Sequence, residues 1–440
     1  MWGAVDRPNI IVIFTDDQGY QDVGCFGSPD IATPNLDRMA AEGMKFTDFY
    51  VMASVCSPSR AGLLTGCYPK RTGVTRVLFP QDVEGLNPDE VTIAEVLKTR
   101  GYATMCIGKW HLGHLPKFLP TRQGFDSYFG IPFSNDMKLV FGGRRGTPLM
   151  RDEAIVELPT EQKLLTKRYT EEAVRFITEN RDRPFFLYLP HTMPHIPLAV
   201  SNAFRERGTQ SYYGDAIEEI DWSVGVILKT LRKLDIEERT LVIFTSDNGP
   251  WLNLKKGNPS HAGGSALPLR AGKFSVYEGG MREPCIMWWP GKIPAGTSCD
   301  EVAATMDLLP TLAQLAGAAV PTDRVIDGRD IWPLMKGVKG AKSPHEVFCY
   351  YKGNRLAAIR KGRWKLHLKS GNQAEELYDL AGDIGERENV AGSHAAIVHE
   401  LEAAARQFDD ELERGARPIG HVYSQASGVA VEQAGTARED

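Results

Sequence analysis

The segment ASVCSPSRAGLLTG, residues 53–66, places a cysteine among side chains that suit chemistry better than packing. Serines and an arginine surround Cys56, and a helix is predicted to begin near Ser57. A thiol in such surroundings can be a nucleophile, a metal ligand or the precursor of a modified residue. All three roles remain open from this segment alone.

Two pairs of polar side chains follow apolar runs that are typical of buried strands. Asp16 and Asp17 come directly after NIIVIFT, and Asp247 and Asn248 come directly after TLVIFTS. A single pair of this kind ordinarily caps a turn. If both strands belong to one parallel sheet, their carboxyl ends meet at one edge, where three carboxylates repel one another unless a cation neutralises them. An all-oxygen ligand set favours calcium or magnesium over zinc.

Three further segments carry candidate cations and histidines. GKWHLG sets Lys109 and His111 two residues apart on one extended face. HTMPHIP offers His191 and His195 between prolines, where one of the two can be purely structural. Lys273 lies among glycines in RAGKFSVYEGGMREP, which favours a close backbone approach. Taken singly, each segment is as well explained by a solvated lysine or a packed histidine.

Strands and helices alternate along the first three quarters of the chain. Strands are predicted in NIIVIFT, YATMCIGK, PFFLYLP and TLVIFTS, and helices in TPNLDRMAAEG, TIAEVLKTRG, TKRYTEEAVRFITEN, YGDAIEEIDWSVGVILKTLRKL and MDLLPTLAQLAG. This alternation is typical of a mostly parallel sheet covered by helices on both faces. The predicted fold class is therefore α/β.

A boundary is predicted in the glycine- and proline-bearing sequence between about residues 318 and 344. Beyond it, EVFCYY, RLAAIR and WKLHL are predicted strands, KGR is a turn, and HAAIVHELEAAARQFDDEL is a helix. We therefore expect a main domain over residues 1–330, which bears the candidate site, and a small α+β subdomain over 345–415. The tail over residues 416–440 is expected to be loosely held.

Composition excludes several classes of protein. The 51 basic and 56 acidic residues give a net charge of −5, which disfavours broad nucleic-acid binding but not an anionic substrate. No apolar run approaches the roughly 20 residues of a membrane span, so no membrane association is expected. Seven scattered cysteines without CxxC spacing argue against a disulfide scaffold and a structural zinc site. No leader precedes IIVIF, so we expect either a cytoplasmic protein or a removed leader.

The segment CSPSRAGLLTG resembles the signature of the sulfatase family, in which the cysteine is oxidised after translation to formylglycine. TDDQG, GKWHLG, PHTMPHIP, TSDNG, GKFSVYEGGMREP and WWPG resemble further sulfatase segments, in the same order, between residues 8 and about 330. The stretches YYGDAIEEIDWSVG and EGGMREPCIMWWPGKIPAG are most similar to the arylsulfatase A and N-acetylgalactosamine-6-sulfatase branch. The C-terminal part agrees with the family only in pattern.

The resemblance implies a fold and a set of site residues. The fold is alkaline-phosphatase-like, with a large mixed, mostly parallel sheet flanked by helices and a smaller C-terminal antiparallel sheet plus helix. Formylglycine at position 56 would be hydrated to a geminal diol at a helix N-terminus, which favours an anion. Calcium, or alternatively magnesium, would be held by the following residues: Asp16, Asp17, Cys56, Asp247 and Asn248. Arg60 would steady the diol, and the sulfate oxygens would be held by Lys109, Ser134, His195 and Lys273.

The resemblance also implies a reaction in two steps. One diol oxygen attacks sulfur, and the ester oxygen leaves as an alcohol protonated by His195 or Lys273. His111 then removes the proton from the second hydroxyl, the aldehyde re-forms and sulfate is expelled. A serine at position 56 has no second hydroxyl and would stop after the first step.

One position departs from the family pattern. The family commonly has arginine or lysine after LTG, whereas Cys67 stands here, and we expect it to be a packed small side chain. The position assists maturation, so the departure bears on how efficiently a formylglycine-generating enzyme, an expected partner, converts Cys56.

Three functions follow from these observations. The first is hydrolysis of sulfate esters on a small molecule or saccharide, in exo fashion. The second is a phosphodiester or phosphonate monoester hydrolase on the same core. The third is a silent binder of sulfated glycans, which a missing site residue would favour, and none is missing. A sulfated glycan would place the protein in a periplasmic, secreted or lysosomal location.

Two basic loops are candidates for substrate specificity, although a solvated loop explains them equally well. They are KLVFGGRRGTP and LNLKKGNPSHAGGS, and their candidate residues are Arg144, Arg145, Lys255, Lys256 and His261.

Overall fold

A sheet of eleven strands forms the core of the computed structural model, which describes residues 7–205, 211–252, 263–371 and 374–422. The strands of the described residues are β1 Asn9–Thr15, β2 Met44–Tyr50, β3 Glu84–Gly85, β4 Ala103–Lys109, β5 Ser127–Ile131, β6 Leu139–Phe141, β7 Arg144–Gly146, β8 Leu149–Arg151, β9 Ala154–Glu157, β10 Phe185–Pro190, β11 Thr240–Ser246, β12 Arg282–Trp288, β13 Thr297–Cys299, β14 Ala303–Ala304, β15 Phe348–Lys352, β16 Arg355–Lys361, β17 Trp364–His367, β18 Glu376–Asp379 and β19 Gly420–His421.

The α-helices cover the sheet and cap the C-terminal part. They are α1 Pro34–Ala41, α2 Cys56–Thr65, α3 Pro69–Thr72, α4 Ile93–Lys98, α5 Leu165–Glu179, α6 Asn202–Arg205, α7 Tyr212–Lys233, α8 Glu278–Met281, α9 Leu308–Ala316, α10 Trp332–Met335 and α11 Ala395–Arg414. Among the helices of the described ranges, none is both long and apolar enough to cross a membrane.

The strand order of the large sheet is β13-β2-β12-β11-β1-β10-β4-β5-β8-β9, and β14 also pairs with β2. Strands β11, β1, β10, β4 and β5 pair in parallel, whereas β12 lies antiparallel between β11 and β2. Two antiparallel pairings in succession make β2 parallel to β11. Six strands therefore direct their carboxyl ends to one edge of the sheet.

Burial of both sheet faces explains the apolar runs of the central strands. Along β1, Ile10, Val12 and Phe14 enter one core, which includes residues of α2, α4 and α9. Ile11 and Ile13 enter the opposite core with residues of α1, α5 and α7. Because neighbouring side chains of a strand point to opposite faces, a strand covered on both faces needs a continuous apolar run. The prediction of an α/β fold with a mostly parallel sheet is confirmed.

Among the strands of the sheet that were not predicted, β2 and β12 carry charged residues. Asp48 of β2 is buried, and its carboxylate lies 2.6 Å from Arg282 Nη2 and 2.7 Å from Arg360 Nη1. The charges of Asp48 and Arg282 are thus neutralised by partners distant in sequence. A search for apolar runs misses strands of this kind.

The predicted C-terminal strands form a four-stranded antiparallel sheet, β15-β16-β17-β18, against which α11 packs. The first residues of the expected loose tail are held: Gly420 pairs with Gly85, and Arg417 Nε lies 2.7 Å from Glu90 Oε1. Residues 423–440 lie outside the described ranges.

A buried ionic cluster fastens the C-terminal sheet to the main domain. Glu278 is fully buried and accepts hydrogen bonds from Tyr50 Oη at 2.5 Å, Lys365 Nζ at 2.8 Å and Tyr350 Oη at 3.0 Å. Burial alone would raise the pKa of Glu278, but the positive charges of Lys365 and Arg282 hold it well below its usual range. The charge of Glu278 therefore depends on the C-terminal sheet.

Removal of one charge from this cluster should destabilise the whole fold. We expect Lys365→Met to lower the free energy of unfolding by about 3–5 kcal/mol, because it leaves the buried Glu278 carboxylate without its ammonium partner. The matched control is Lys361→Met on β16, whose ammonium pairs with Glu400 at 2.8 Å and is 37% exposed. That control should cost far less, because solvent screens the exposed pair. Urea unfolding measures both variants, and equal effects would contradict the assignment.

Candidate active site

The site lies at the edge where the six parallel strands end. Each of these strands is followed by candidate residues, and Lys273 comes from the segment that precedes β12. In strand order, the residues are Cys56 after β2, Asp247 and Asn248 after β11, Asp16 and Asp17 after β1, His195 after β10, Lys109 and His111 at the end of β4, Ser134 after β5, and Lys273 before β12. The expectation that polar residues cluster at the carboxyl ends of core strands is confirmed.

Cys56 is the first residue of α2, and every residue of this helix is buried. Its Sγ lies 3.5 Å from Asp16 Oδ1, 3.4 Å from Lys109 Nζ and 3.6 Å from Lys273 Nζ. Burial raises the pKa of the thiol well above its usual range, although the two lysines oppose this. As a cysteine, residue 56 is therefore a neutral thiol and a poor nucleophile.

Three carboxylates around Cys56 are each paired with a cation. Lys109 Nζ lies 2.6 Å from Asp16 Oδ2. Lys273 Nζ contacts both oxygens of Asp17 at 2.7 and 2.8 Å. Arg60 completes the set with Asp247, as described below. A cation was expected to neutralise the converging carboxylates, and three side-chain cations lie close enough to do so.

Arg60 joins the helix of Cys56 to the strand ends. Its Nη2 and Nε donate to Asp247 Oδ2 at 2.7 and 3.1 Å, and its Nη1 donates to the backbone oxygen of Lys109 at 2.9 Å. Nη2 also lies 3.6 Å from Asp16 Oδ1. Arg60 is fully buried, so these contacts fix α2 relative to β11 and β4.

The carboxylates differ in their affinity for protons. Burial raises the pKa of Asp17 to about 7, since the opposing charge of Lys273 is offset by the repulsion of Asp16 and Asp247. Burial acts in the same direction on Asp16, but Lys109, Arg60 and Lys273 together hold its pKa well below the usual range. Asp16 is therefore the permanent anion of the site, and Asp17 is the carboxylate that can exchange a proton near neutral pH.

Four side chains place ligand atoms within 4.8 Å of one another: Asp16, Asp17, Cys56 and His195. Asn248 lies beside them, because its Nδ2 donates to Asp17 Oδ1 at 2.7 Å. Its Oδ1 is buried without a hydrogen-bond partner in the described structure. A buried amide oxygen of this kind suits a hard cation, as do the carboxylates. The sequence prediction did not include His195 in this group.

Hydrogen bonds determine which nitrogen of His195 carries the proton. Nδ1 lies 3.0 Å from Asn135 Oδ1 and 2.5 Å from the backbone oxygen of Ile196. Because both partners are acceptors, Nδ1 must be the donor. Burial and the charge of Lys273 lower the pKa of His195 well below its usual range, so the ring is neutral and Nε2 has a free lone pair. Nε2 lies 3.6 Å from Asp17 Oδ2 and 3.5 Å from Ser134 Oγ.

Hydrogen bonds also determine the tautomer of His111, in which the opposite ring nitrogen carries the proton. Nε2 lies 2.9 Å from the backbone oxygen of Leu78 and therefore carries the proton, whereas the buried Nδ1 has no partner in the described structure. Burial, with the charges of Lys109 and Arg60, lowers the pKa of His111 well below its usual range. A single extended face does not hold Lys109 and His111, since His111 has a φ of 60°. The left-handed backbone at His111 interrupts the extended face, although Lys109 still lies near enough to affect the pKa of His111.

The remaining candidates lie apart from the site or beyond the described residues. His191 is buried in the apolar core beside Tyr169, and burial lowers its pKa to about 3, so it is the structural histidine of the pair. Cys67 is a fully buried core residue, as predicted. Arg144 and Arg145 are exposed on the β6–β7 hairpin. The candidates that lie outside the described residues are Lys255, Lys256 and His261.

Sequence reasoning missed Asn135, which orients His195. Its Oδ1 accepts from the imidazole, while its Nδ2 donates to the backbone oxygen of Pro197 at 3.0 Å. Asn135 directly follows the candidate Ser134, and this adjacency was the only signal available.

Family models match most of the chain. The model described as Sulfatase matches residues 8–318, and the model described as N-sulphoglucosamine sulphohydrolase, C-terminal, matches residues 272–411. N-acetylgalactosamine-6-sulfatase of Canis lupus familiaris is 42% identical over 409 residues, covering 89% of this chain and 77% of the relative. Arylsulfatase A of Homo sapiens is 40% identical over 453 residues, covering 92% and 88%.

Solved structures have the same architecture. The crystal structure of Ps i-CgsB in complex with k-i-k-neocarrahexaose superposes with a TM-score of 0.81 at 32% identity, covering 94% of this chain and 95% of that one. Phosphonate monoester hydrolase of Agrobacterium radiobacter has a TM-score of 0.66 at 21% identity, covering 92% and 96%. The second likeness concerns the fold alone.

Metal binding at this site should strengthen as the pH rises. Without metal, Asp17 holds a proton below its pKa of about 7, and a metal ion must displace it. The apparent affinity for Ca²⁺ or Mg²⁺ should therefore fall by about tenfold for each pH unit below 7. Calorimetric titration at pH 5.5, 6.5 and 8.0 measures this, and Asp17→Asn should weaken binding and flatten its pH dependence. Equal affinity of the unmodified protein at pH 5.5 and 8.0 would contradict the prediction.

Proposed function

The chain belongs to the sulfatase family of sulfuric ester hydrolases, and we propose that it removes sulfate from a terminal sugar of a sulfated glycan by means of a formylglycine formed from Cys56. One observation carries the proposal: residue 56 lies at a helix N-terminus with the ammonium groups of Lys109 and Lys273 within 3.6 Å of its Sγ. An anion bound beside residue 56 meets both charges and the helix dipole.

The proposed sulfate position is lined by donors from two strand ends and from the loop that precedes β12. Lys109 Nζ lies 3.2 Å from Ser134 Oγ, so ammonium and hydroxyl can hold neighbouring sulfate oxygens. Lys273 approaches from the opposite side, where it contacts Asp17. These donors are held in place before the substrate arrives, which is the arrangement that stabilises charge in a transition state.

The donor set also fits the metal ion that the family resemblance implies. We propose calcium, with magnesium as the alternative, held by Asp16, Asp17, Asp247, Asn248 and residue 56. The unpartnered Oδ1 of Asn248 and the clustered carboxylates of Asp16 and Asp17 support this choice. When bound, the ion would lower the pKa of the hydroxyl at position 56 and polarise the sulfuryl group.

A hydrated formylglycine explains how the enzyme turns over. One hydroxyl of residue 56 attacks sulfur, and the alcohol departs. Loss of the proton from the second hydroxyl then re-forms the aldehyde and expels sulfate, and addition of water to the aldehyde restores the diol. His111 is suited to accept that proton, because its Nδ1 is unprotonated and unpartnered. Its lowered pKa keeps the ring neutral before each cycle.

The leaving alcohol needs a proton, and the structure favours Lys273 over His195 as its source. Neutral His195 carries its proton on Nδ1, where it is bonded to Asn135 and Ile196, so the bare Nε2 cannot donate. Lys273 remains protonated, since its contact with Asp17 raises the pKa of its ammonium against the effect of burial. In this proposal His195 is an acceptor and Lys273 is the general acid.

The substrate class follows from the relatives and from the site. The relatives named above include enzymes of a sulfated amino sugar and a structure with a bound carrageenan-type oligosaccharide. The buried residue 56 suits a terminal sugar better than a chain interior. We propose a periplasmic, secreted or lysosomal location, where such glycans occur, and maturation by a formylglycine-generating enzyme.

Substitution of the nucleophile separates the two halves of the reaction. We expect Cys56→Ser to release at most one alcohol per protein molecule and to lower multiple turnover by about 10³-fold or more, because serine lacks the second hydroxyl. Cys56→Ala should release none. Rapid-quench assays with 4-nitrophenyl sulfate measure both, and steady turnover by Cys56→Ser would contradict the mechanism.

The chain without substitutions is analysed by peptide mass spectrometry alongside this assay. Protein made together with a maturation enzyme should be about 18 Da lighter at residue 56, or unchanged in mass when the aldehyde is hydrated, whereas thiol oxidation adds mass. A free thiol at Cys56 in such protein, detected by its carbamidomethylation, would contradict the formylglycine proposal.

Leaving-group dependence tests the role of Lys273. Lys273→Gln should lower kcat/KM by about 10²–10³-fold for a sugar sulfate, whose alkoxide needs protonation. For 4-nitrophenyl sulfate, whose phenolate leaves unaided, the loss of kcat/KM should be about tenfold smaller. His195→Asn, the matched control, should affect both substrates equally. The same selective loss in His195→Asn rather than Lys273→Gln would reverse the assignment.

A further inference from the structure

Two aromatic side chains form a wall beside the lysine and histidine of the site. The rings of Trp251 and Phe274 meet edge to face, with centroids 5.4 Å apart and planes at 81°. Lys273 Nζ lies 4.9 Å from the centroid of Trp251 and 5.6 Å from that of Phe274. The ring of His195 lies 5.8 Å from that of Trp251. The mechanism proposed above uses neither aromatic residue.

Phe274 is in a backbone conformation that an aromatic residue seldom adopts. Its φ is 70°, in the left-handed region that favours glycine, and its side chain is 43% exposed. Left-handed backbone at a bulky residue costs folding free energy, and an exposed ring recovers little of it by burial. Packing therefore does not account for a phenylalanine at this position.

The wall has a fixed position relative to residue 56. The backbone nitrogen of Phe274 donates to the oxygen of Ser54 at 2.9 Å, and that of Lys273 donates to the oxygen of Pro250 at 3.0 Å. The first bond ties the wall to the segment immediately before Cys56. The second joins the lysine loop to the residue before Trp251. Both rings are thus held at a set distance from the position where sulfate would bind.

Open space adjoins Phe274. A groove runs between it and the C-terminal subdomain and is lined by Ser54, Val55 and Pro58 on one side and by Tyr351 and Lys352 on the other. The Phe274 ring therefore borders an open volume that is also lined by residues just before and just after residue 56.

We propose that Trp251 and Phe274 form the binding surface for the pyranose ring of the sulfated sugar, the leaving group of the reaction. A pyranose presents a face of C–H bonds that packs on an aromatic ring, while its hydroxyls stay in contact with water. Lys273 lies at once against both rings and within reach of residue 56. The ester oxygen would thus project from the stacked sugar toward the proton donor. This inference rests on the proposed function.

The test compares a cyclic with an open-chain leaving group. Galactose 6-sulfate presents a ring and n-propyl sulfate does not. Phe274→Gly suits the left-handed backbone and removes the ring. We expect it to lower the ratio of kcat/KM for galactose 6-sulfate to that for n-propyl sulfate by about 3- to 10-fold, and Trp251→Ala together with Phe274→Gly to lower it further. The matched control is Phe274→Tyr, which keeps the ring and should keep the ratio.

Stability distinguishes this role from packing. Phe274→Gly should unfold within about 2 °C of the parent protein, since the substitution also relieves the left-handed backbone. A marked drop in Tm with an unchanged ratio would show that Phe274 serves packing, and the proposal would fall. An unchanged ratio without a drop in Tm would overturn it equally.

A binding measurement separates this inference from the proposed function. Galactose 6-sulfate is titrated calorimetrically into Cys56→Ala and into Cys56→Ala with Phe274→Gly. Weaker binding by the double variant supports the wall, even if the parent protein hydrolyses no sulfate ester and the proposed function fails. If the parent protein hydrolyses galactose 6-sulfate but both variants bind it equally, the proposed function stands. The proposed role of Trp251 and Phe274 in binding the sugar is then refuted. No hydrolysis and no effect of Phe274 on binding would refute both.

Discussion

Balance of charge in a buried volume is the constraint on which this structure depends. Asp16, Asp17 and Asp247 lie within the protein with almost no exposure, and each must face a cation because an unpaired buried ion costs several kcal/mol. The three cations come from α2, from β4 and from the loop before β12. Elements distant in sequence must therefore reach their final places together. The parallel sheet makes this possible by ending six strands at one edge.

The same balance sets the chemistry that the site can perform. With Lys109 and Lys273 engaged by carboxylates, an incoming sulfate would find ammonium groups that are already oriented. The two histidines stay neutral because burial, reinforced by these cations, lowers their pKa values well below the usual range. Their tautomers are opposite, with Nδ1 bare in His111 and Nε2 bare in His195. One buried charge pattern thus supplies both the donors for an anion and the acceptors for protons.

Much of this arrangement could be predicted from the sequence, and the part that could not has a physical reason. The continuous apolar runs of β1 and β11 revealed both the parallel sheet and the positions of Asp16 and Asp247. Strand β12 remained hidden because Arg282 and Glu283 begin it, and their burial is possible only in the folded environment. Pairing of Lys273 with Asp17, 256 residues apart, leaves no trace in spacing. Asn135 was missed because its effect on the tautomer of His195 depends on their contact in the folded protein. Phe274 was missed because its backbone dihedral angle is likewise set by the fold.

The buried ionic cluster around Glu278 affects where in the sequence inactivating substitutions would fall. Glu278 lies five residues beyond Lys273, and its backbone nitrogen also donates to Glu386 of the C-terminal region at 2.6 Å. The loop that carries Lys273, the proposed general acid, is thus anchored at one end by the C-terminal sheet. In a library of random substitutions, inactive clones would concentrate at Lys365, Glu386 and their neighbours as well as around Cys56. Such substitutions would abolish activity as if a residue of the site had been lost, although every residue of the site would still be present.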